Sequence, residues 1–233
     1  MSQDTLLRTL VDTRDRQIQK ARIQFSNRLS ALGDTGLDEG NAQQERIVKH
    51  YLEAFDALEK QLNEDIAEIV GYHPVFPLVS AIRGIGPGLA AKLIAMIDIT
   101  RSPTVSALWR YAGQAVIDGA AEKPVKGQKL AYNKRLKTTC WLIAGSFLKS
   151  ASPYRVIYDE ARLLYDRTHP EWTKGHSHNA ALRKMSKLFL SHLWAAWREL
   201  EGLPVTPPYI DRDGNDNHRY DAEYFGWPKP MGE

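Results

Sequence analysis

Apolar positions over residues 4–32 recur at intervals of three and four. Leu7, Val11, Ile18, Ala21, Phe25 and Leu32 fall on one side of a predicted helix, with charges between them. The stretch 33–41, GDTGLDEGN, holds three glycines and predicts a loop. A second stripe, Ile47, Tyr51, Ala54, Leu58, Leu62, Ile66 and Ile69, predicts a helix over 42–70. Two helices of nearly equal length with a short connection predict an antiparallel hairpin. Each stripe is narrow, so neither helix would hold alone in water. A second copy of the hairpin is the natural covering surface, because narrow stripes are coiled-coil seams.

Gly71, Pro74 and Pro77 then break the pattern. Short helices are predicted from Pro74 or Pro77 to Arg83 and from Pro87 to Ile97. Ser102-Pro103 reads as an N-cap and first helical residue, opening a helix to Tyr111. Residues 113–130 predict a loop or small β-hairpin, and 132–150 a helix. Ser152-Pro153 opens a helix to Arg167. The last helix, 177–199, carries Leu182, Met185, Leu188, Phe189, His192, Leu193 and Trp197 on its apolar side. Residues 201–233 hold five prolines and little periodicity, as a free extended segment or a wrap over the core would. The expectation is an all-α protein. Residues 1–70 form an antiparallel helical hairpin for dimerisation, 71–200 a basic domain containing a helix-hairpin-helix, and 201–233 an extended tail.

Composition places this chain of 233 residues among ordinary globular proteins, with 43% hydrophobic and 25% charged residues. No apolar run reaches the ~18 residues a membrane span needs. One cysteine, Cys140, excludes an internal disulfide framework and a cysteine zinc cage, and predicts a reduced, cytoplasmic setting. Net charge is only +3, but residues 69–198 hold 19 basic against 7 acidic side chains. Such a block calls for an anionic partner, nucleic acid by default, or a large solvated surface.

The sharpest motif is LVSAIRGIGPGLAAKLI over residues 78–94. It has the pattern of a helix-hairpin-helix. Ile82, Leu93 and Ile94 hold the two helices together, Ile85 plugs the turn, and Ala90 is small where they approach. Gly84 and Gly86 permit the reversal, including positive φ. Pro87 suits a first helical turn. With Gly88 and Lys92, that helix N-terminus could hold a backbone phosphate, a contact that positions a duplex without reading it. The plainer reading is a structural corner. A second basic stretch, 123–149, carries Lys123, Lys126, Lys129, Lys134, Arg135, Lys137 and Lys149 and no acid, with Asn133 interleaved. It reads as a phosphate-tracking surface or as a solvated helix face.

Other constellations are weaker. His169, His176 and His178 lack a cysteine or carboxylate set to complete a metal site. Asp211, Asp213, Asn215 and Asp216 faintly echo a calcium loop, but its last ligand position is Ala222. No nucleotide-binding fingerprint is present, so no metal and no cofactor is expected.

In order, AIRGIGPGLAAKLIAMI, ALWRYAGQA, NKRLKTTCWLIAG, SPYRVIYDEAR and HNAALRKMSKLFLSHLWAAW resemble the C-terminal half of the IS-one-ten family of insertion-sequence transposases. The matching residues are Gly84 to Pro87, Tyr111-Ala112-Gly113, Asn133 with Leu136 and Lys137, and Ala180-Ala181 with Arg183-Lys184. The resemblance spans about 42–200. It implies a coiled coil followed by a transposase domain, in a prokaryotic, nucleoid-associated protein. In the family a RuvC-like domain with acidic metal ligands comes first, and this chain begins near where the coiled coil would begin. The family's nucleophilic serine would fall near Asp118–Ala121, which reads Asp-Gly-Ala-Ala. Without that hydroxyl no covalent phosphodiester link forms, so no catalytic residue is assigned.

The leading expectation is a transposase-like DNA-binding protein, a homodimer or higher even oligomer, without its own catalytic centre. The alternatives are a recombinase subunit working with a RuvC-like partner, using Ser102 or Ser106, a module for structured RNA, and a protein-interaction module whose basic face is incidental.

Overall fold

The computed structural model describes residues 3–33, 39–117, 120–122, 126–127, 129–206 and 221–228. The protein is all-α. Its one β ladder among the described residues is two residues a side, Val116–Ile117 (β1) against Ala120–Ala121 (β2). The chain divides into two compact units, Met1–Tyr72 and His73–Glu233.

In the first unit, α1 (Gln3–Thr13) runs through a π-helical turn at Arg14–Ile18 into α2 (Gln19–Gly33), and α3 (Glu39–Gly71) returns antiparallel. The direction shows in the cross-helix pairs. Gln3 donates to the Ile69 carbonyl at 3.1 Å, Arg14 to Asn63 at 3.0 Å, and Phe25 lies 5.4 Å from Phe55 between ring centres. The seam is partly polar. Arg14 is buried and pairs with Asp15 at 2.9 Å, and Arg22 pairs with Glu59 at 2.6 Å. A π turn widens the helix by one residue, a local change no periodicity predicts.

The stripe on α3 differs from expectation in its first half. Leu62 and Ile66 are buried, but Ile47, Tyr51 and Leu58 are 44–49% exposed, while Val48 is buried. The steps from Ala54 through Leu58 and Leu62 to Ile66 are all four residues. Each such step rotates about 40° around a helix of 3.6 residues per turn. Ile47 to Leu58 therefore forms a second stripe, beside the seam rather than in it.

The second unit holds α4 (Phe76–Ser80), α5 (Pro87–Met96), α6 (Val105–Tyr111), α7 (Lys134–Lys149), α8 (Arg155–Thr168) and α9 (Lys174–Leu200). Helix α9 is central and packs on α6, α7 and α8. Both Ser-Pro helix starts are displaced. The cap of α6 is Thr104, which accepts from the Ala107 N–H at 3.2 Å. Ser102 is buried, and its carbonyl accepts from Trp194 at 2.7 Å. At Ser152-Pro153 the chain makes a turn first, and α8 begins at Arg155.

The described part of the tail belongs to this unit's core. Phe225 and Trp227 are buried. Phe225 stacks on Tyr154 at 4.5 Å, and the Trp227 indole donates to the Tyr154 hydroxyl at 2.7 Å. That hydroxyl lies 2.6 Å from His192 Nδ1. Cys140 is buried and its thiol is pushed up to about 12 by that burial, so it is an inert core group.

The described segment 221–228 is thus a structural element. Trp227→Ala removes a buried indole and orphans one acceptor, and is expected to cost about 3–5 kcal/mol. Urea unfolding of the full chain checks this. A loss under ~1 kcal/mol would mean that the segment is not docked.

Candidate nucleic-acid interface

Between α4 and α5 the backbone reverses at Gly84, whose φ is +102°. A Cβ there would lie 2.7 Å from Ser150 Oγ and 3.1 Å from Phe147. Ser146 Oγ donates to the Gly84 carbonyl at 2.6 Å. The first glycine is therefore fixed twice, by its conformation and by its approach to the C-terminal half of α7. Gly86 is not: its φ is −88°, and nothing lies within 4 Å of its Cβ position. Only Gly84 uses positive φ in this turn. Ile82, Ile85 and Ala90 are buried, as the motif requires.

Gly86 and Pro87 are exposed, and Gly88 and Lys92 half-buried. Pro87 has no N–H, and the N–H groups of Leu89 and Ala90 both turn back to the Gly86 carbonyl at 3.1 Å. The donor left in that first turn belongs to Gly88. The turn offers less than a full helix N-terminus would.

The basic segment behaves differently. Lys126, Lys129 and Lys134 are exposed; Lys123 lies outside the described residues. Asn133 caps α7, its Oδ1 accepting from the N–H groups of Arg135 at 3.0 Å and Leu136 at 3.2 Å. Its amide donates to Tyr111 Oη at 3.0 Å, and Tyr111 Oη donates to the Met96 carbonyl at 3.1 Å. Gly113, at φ +66°, lets the chain pass against Tyr132 and Lys137, where a Cβ would lie 2.8 Å from each. Lys137 Nζ sits 4.4 Å over the Tyr132 ring. Tyr111, Gly113 and Asn133, three separate motifs in sequence, thus form one clasp. Asn133 is a structural cap within it.

The two candidate groups do not converge on one spot. The 84–88 turn rests on Ser146, Phe147 and Ser150, whereas Lys134, Arg135 and Lys137 begin the same helix. Twelve residues separate Lys134 from Ser146, about 18 Å along the axis.

His169 and His178 are taken up in contacts with neighbouring aromatic side chains. His178 Nδ1 lies 2.7 Å from Tyr158 Oη, and His169 stacks on Trp172 at 4.1 Å. Among the described residues no group of three metal-ligating side chains assembles. Ser106 is exposed on α6. Asp118 and Gly119, and the Asp211–Asp216 stretch, lie outside the described residues.

A group that the sequence motifs do not single out as a site is Arg183 and Lys184 with Lys187, on one side of α9. A signal for it exists: residues 172–198 contain no acid at all.

No family model matches the chain, and no solved structure matches it. One curated relative does, the uncharacterized 43.6 kDa protein of insertion element IS110 from Streptomyces coelicolor, 27% identical over 146 residues. The chain is thus similar over part of its length to an IS110 insertion-element protein. The match covers 61% of this chain and spans 33% of the relative, so the chain corresponds to about a third of that IS110 protein. No helix among the described residues is long and apolar enough to cross a membrane.

The two glycines give opposite expectations. Gly84→Ala places a Cβ in a left-handed conformation against α7 and is expected to destabilise by about 1–3 kcal/mol. Gly86→Ser, at an extended N-cap position, is expected to stay within about 0.5 kcal/mol. Thermal melts of the two variants side by side decide the point. Equal effects would refute this account of the turn.

Proposed function

We propose that this chain is a transposase-related protein that binds the phosphate backbone of DNA, mainly through the segment Lys126–Lys137 and secondarily through the Gly86–Gly88 turn. One observation carries the reading. Lys134, Arg135 and Lys137 occupy the first turn of α7, and no acid does. A helix N-terminus is the positive end of its dipole, so cations there oppose the local field. An anion bound beside them would relieve this. The Asn133–Tyr111 clasp holds the turn rigid, as a binding surface needs. The homology to an insertion-element protein supports DNA as the anion.

The reading assigns no catalytic residue to this chain and leaves the chemistry of transposition to a RuvC-like partner protein. It includes self-association through the first unit. The exposed stripe Ile47, Tyr51 and Leu58 on α3 supports a second copy as its cover. Structured RNA is the competing target, and the same titration separates the two.

The test is a titration at two salt concentrations against duplex DNA, a four-way junction and a structured RNA of equal size. Affinity should fall steeply with salt, with a slope near 0.9 per phosphate neutralised on duplex DNA. Charge reversal at Lys126, Lys129 and Lys134, all exposed, should lower that slope by about one for each phosphate no longer neutralised, without lowering the melting temperature. Preference for the RNA, or normal binding by the reversed variant, would sink the proposal. For self-association, Tyr51→Glu with Leu58→Glu should convert an even oligomer to monomer in light scattering. A monomeric wild type would remove this part.

A further inference from the structure

A cleft of ≈ 580 Å³ lies between the β ladder, α8 and the N-terminal half of α9. Val116 and Ala121 wall one side, and Tyr165 and Trp172 another. Helix α9 turns His176, Ala180, Arg183 and Lys187 into it, residues spaced to share one face. Lys184 lines its rim and is exposed.

The two inner cations are held firmly. Lys187 Nζ stands 4.1 Å over the Trp109 ring, and the Trp109 indole donates to the Lys187 carbonyl at 2.9 Å. Arg183 is half-buried beside Tyr165. Burial, and then repulsion from Arg183, holds the Lys187 ammonium below its usual range, and burial lowers Arg183 as well. Among the described residues no carboxylate lines the cleft or pairs with either cation. A ring face eases one ammonium but supplies no net negative charge. Two mutually repelling cations share a partly desolvated cleft, with no paired carboxylate among the described residues. An anion between them would satisfy both.

The donor set fits one kind of anion. A guanidinium offers a planar fork to two oxygens, and an ammonium a point charge to a third. His176 and Asn179 add donors at the edge. The volume exceeds what a bare phosphate needs and leaves room for the sugar it is attached to. The cleft also adjoins the basic segment, since Lys137 Nζ reaches the Glu122 carbonyl at 3.4 Å, next to Ala121 in the cleft wall.

We infer that this cleft is a phosphate-binding site, with Arg183 and Lys187 as its charged donors, and that a nucleic-acid strand tracking the Lys126–Lys137 segment supplies the phosphate. The second half rests on the function proposed above; the first half does not.

The experiment uses the full chain and three probes: inorganic phosphate, thymidine 5′-monophosphate and a short fluorescein-labelled oligothymidylate. Phosphate and nucleotide are followed by the indole N–H resonances of Trp109 and Trp172, and the oligonucleotide by anisotropy. In the wild type and in a Lys126→Gln/Lys129→Gln control, both small probes should move those resonances. Arg183→Gln and Lys187→Gln should abolish the shifts and weaken the oligonucleotide at least about tenfold, the worth of one charge-assisted hydrogen bond. Lys184→Gln changes an exposed residue, so it folds even if the inner variants do not, and should weaken every probe about threefold. Resonances that stay still at saturating phosphate and nucleotide would overturn the site. Small-probe binding with oligonucleotide affinity untouched by Arg183→Gln would overturn the strand as its source. Small-probe binding with no oligonucleotide binding by any variant would leave the phosphate site standing and overturn the function proposed above.

Discussion

Encasing the C-terminal half of α9 is the constraint that arranges the second unit. From Phe189 to Trp194 every residue is buried. A helix covered on all sides must find partners for each polar group it carries. Here those partners come from three segments outside the helix. Trp194 donates to the Ser102 carbonyl before α6, and His192 meets Tyr154 in the turn before α8. Arg198 is buried with its guanidinium on the carbonyls of Ile99, Ser102 and Pro204. The tail closes the set when Trp227 donates to that same Tyr154 hydroxyl. The segments around α9 are therefore fixed by where its few polar groups must be satisfied, as much as by apolar area.

This division of α9 also explains where a site can exist. Its C-terminal half is locked, while its N-terminal half has one side on the core, through Ala181, Leu182 and Met185, and one side open. Side chains on the open side inherit the rigidity of the buried half. Arg183 and Lys187 are thus presented by a helix that cannot yield, and Lys187 is further pinned over Trp109. Preorganised charge of this kind binds anions with little ordering cost. The Gly84 turn has a comparable origin. It is bolted to α7 through Ser146, so its shape is set by packing, whatever it touches outside.

Much of this is legible in local pattern. The helix over 132–150, the reversal at Gly84 and the burial of Ile82, Ile85 and Ala90 follow from periodicity and from the special conformations of glycine. What is not legible depends on neighbours distant in sequence. Ser102-Pro103 has the form of a helix start, but the Ser102 carbonyl is taken by a tryptophan 92 residues away. Asn133 reads as a phosphate contact within a basic run, because a capping asparagine bonded to Tyr111 looks identical in sequence to an exposed polar residue. The stripe on α3 reads as one because steps of four residues look continuous on paper and precess on a helix. The cationic side of α9 is masked by the strength of the apolar side of the same helix.

The cost of the basic first turn of α7 measures how unusual it is. Each cation near a helix N-terminus is unfavourable by about 0.3–1 kcal/mol, so three amount to roughly 1–3 kcal/mol. The Asn133 cap returns about 1 kcal/mol of this. Lys137 recovers a little more over Tyr132, as an exposed cation–π contact contributes about 0.5–1 kcal/mol. Set against a domain stability of about 5–15 kcal/mol, what is left, at most about 1.5 kcal/mol, is tolerable. At Lys134, which is exposed, an acid would have been the favourable choice for the helix end. The same holds for Arg183 beside Lys187, where a single carboxylate in the cleft would have relieved both. In two separate places the fold keeps cations where its own electrostatics disfavour them, and an anion would relieve both.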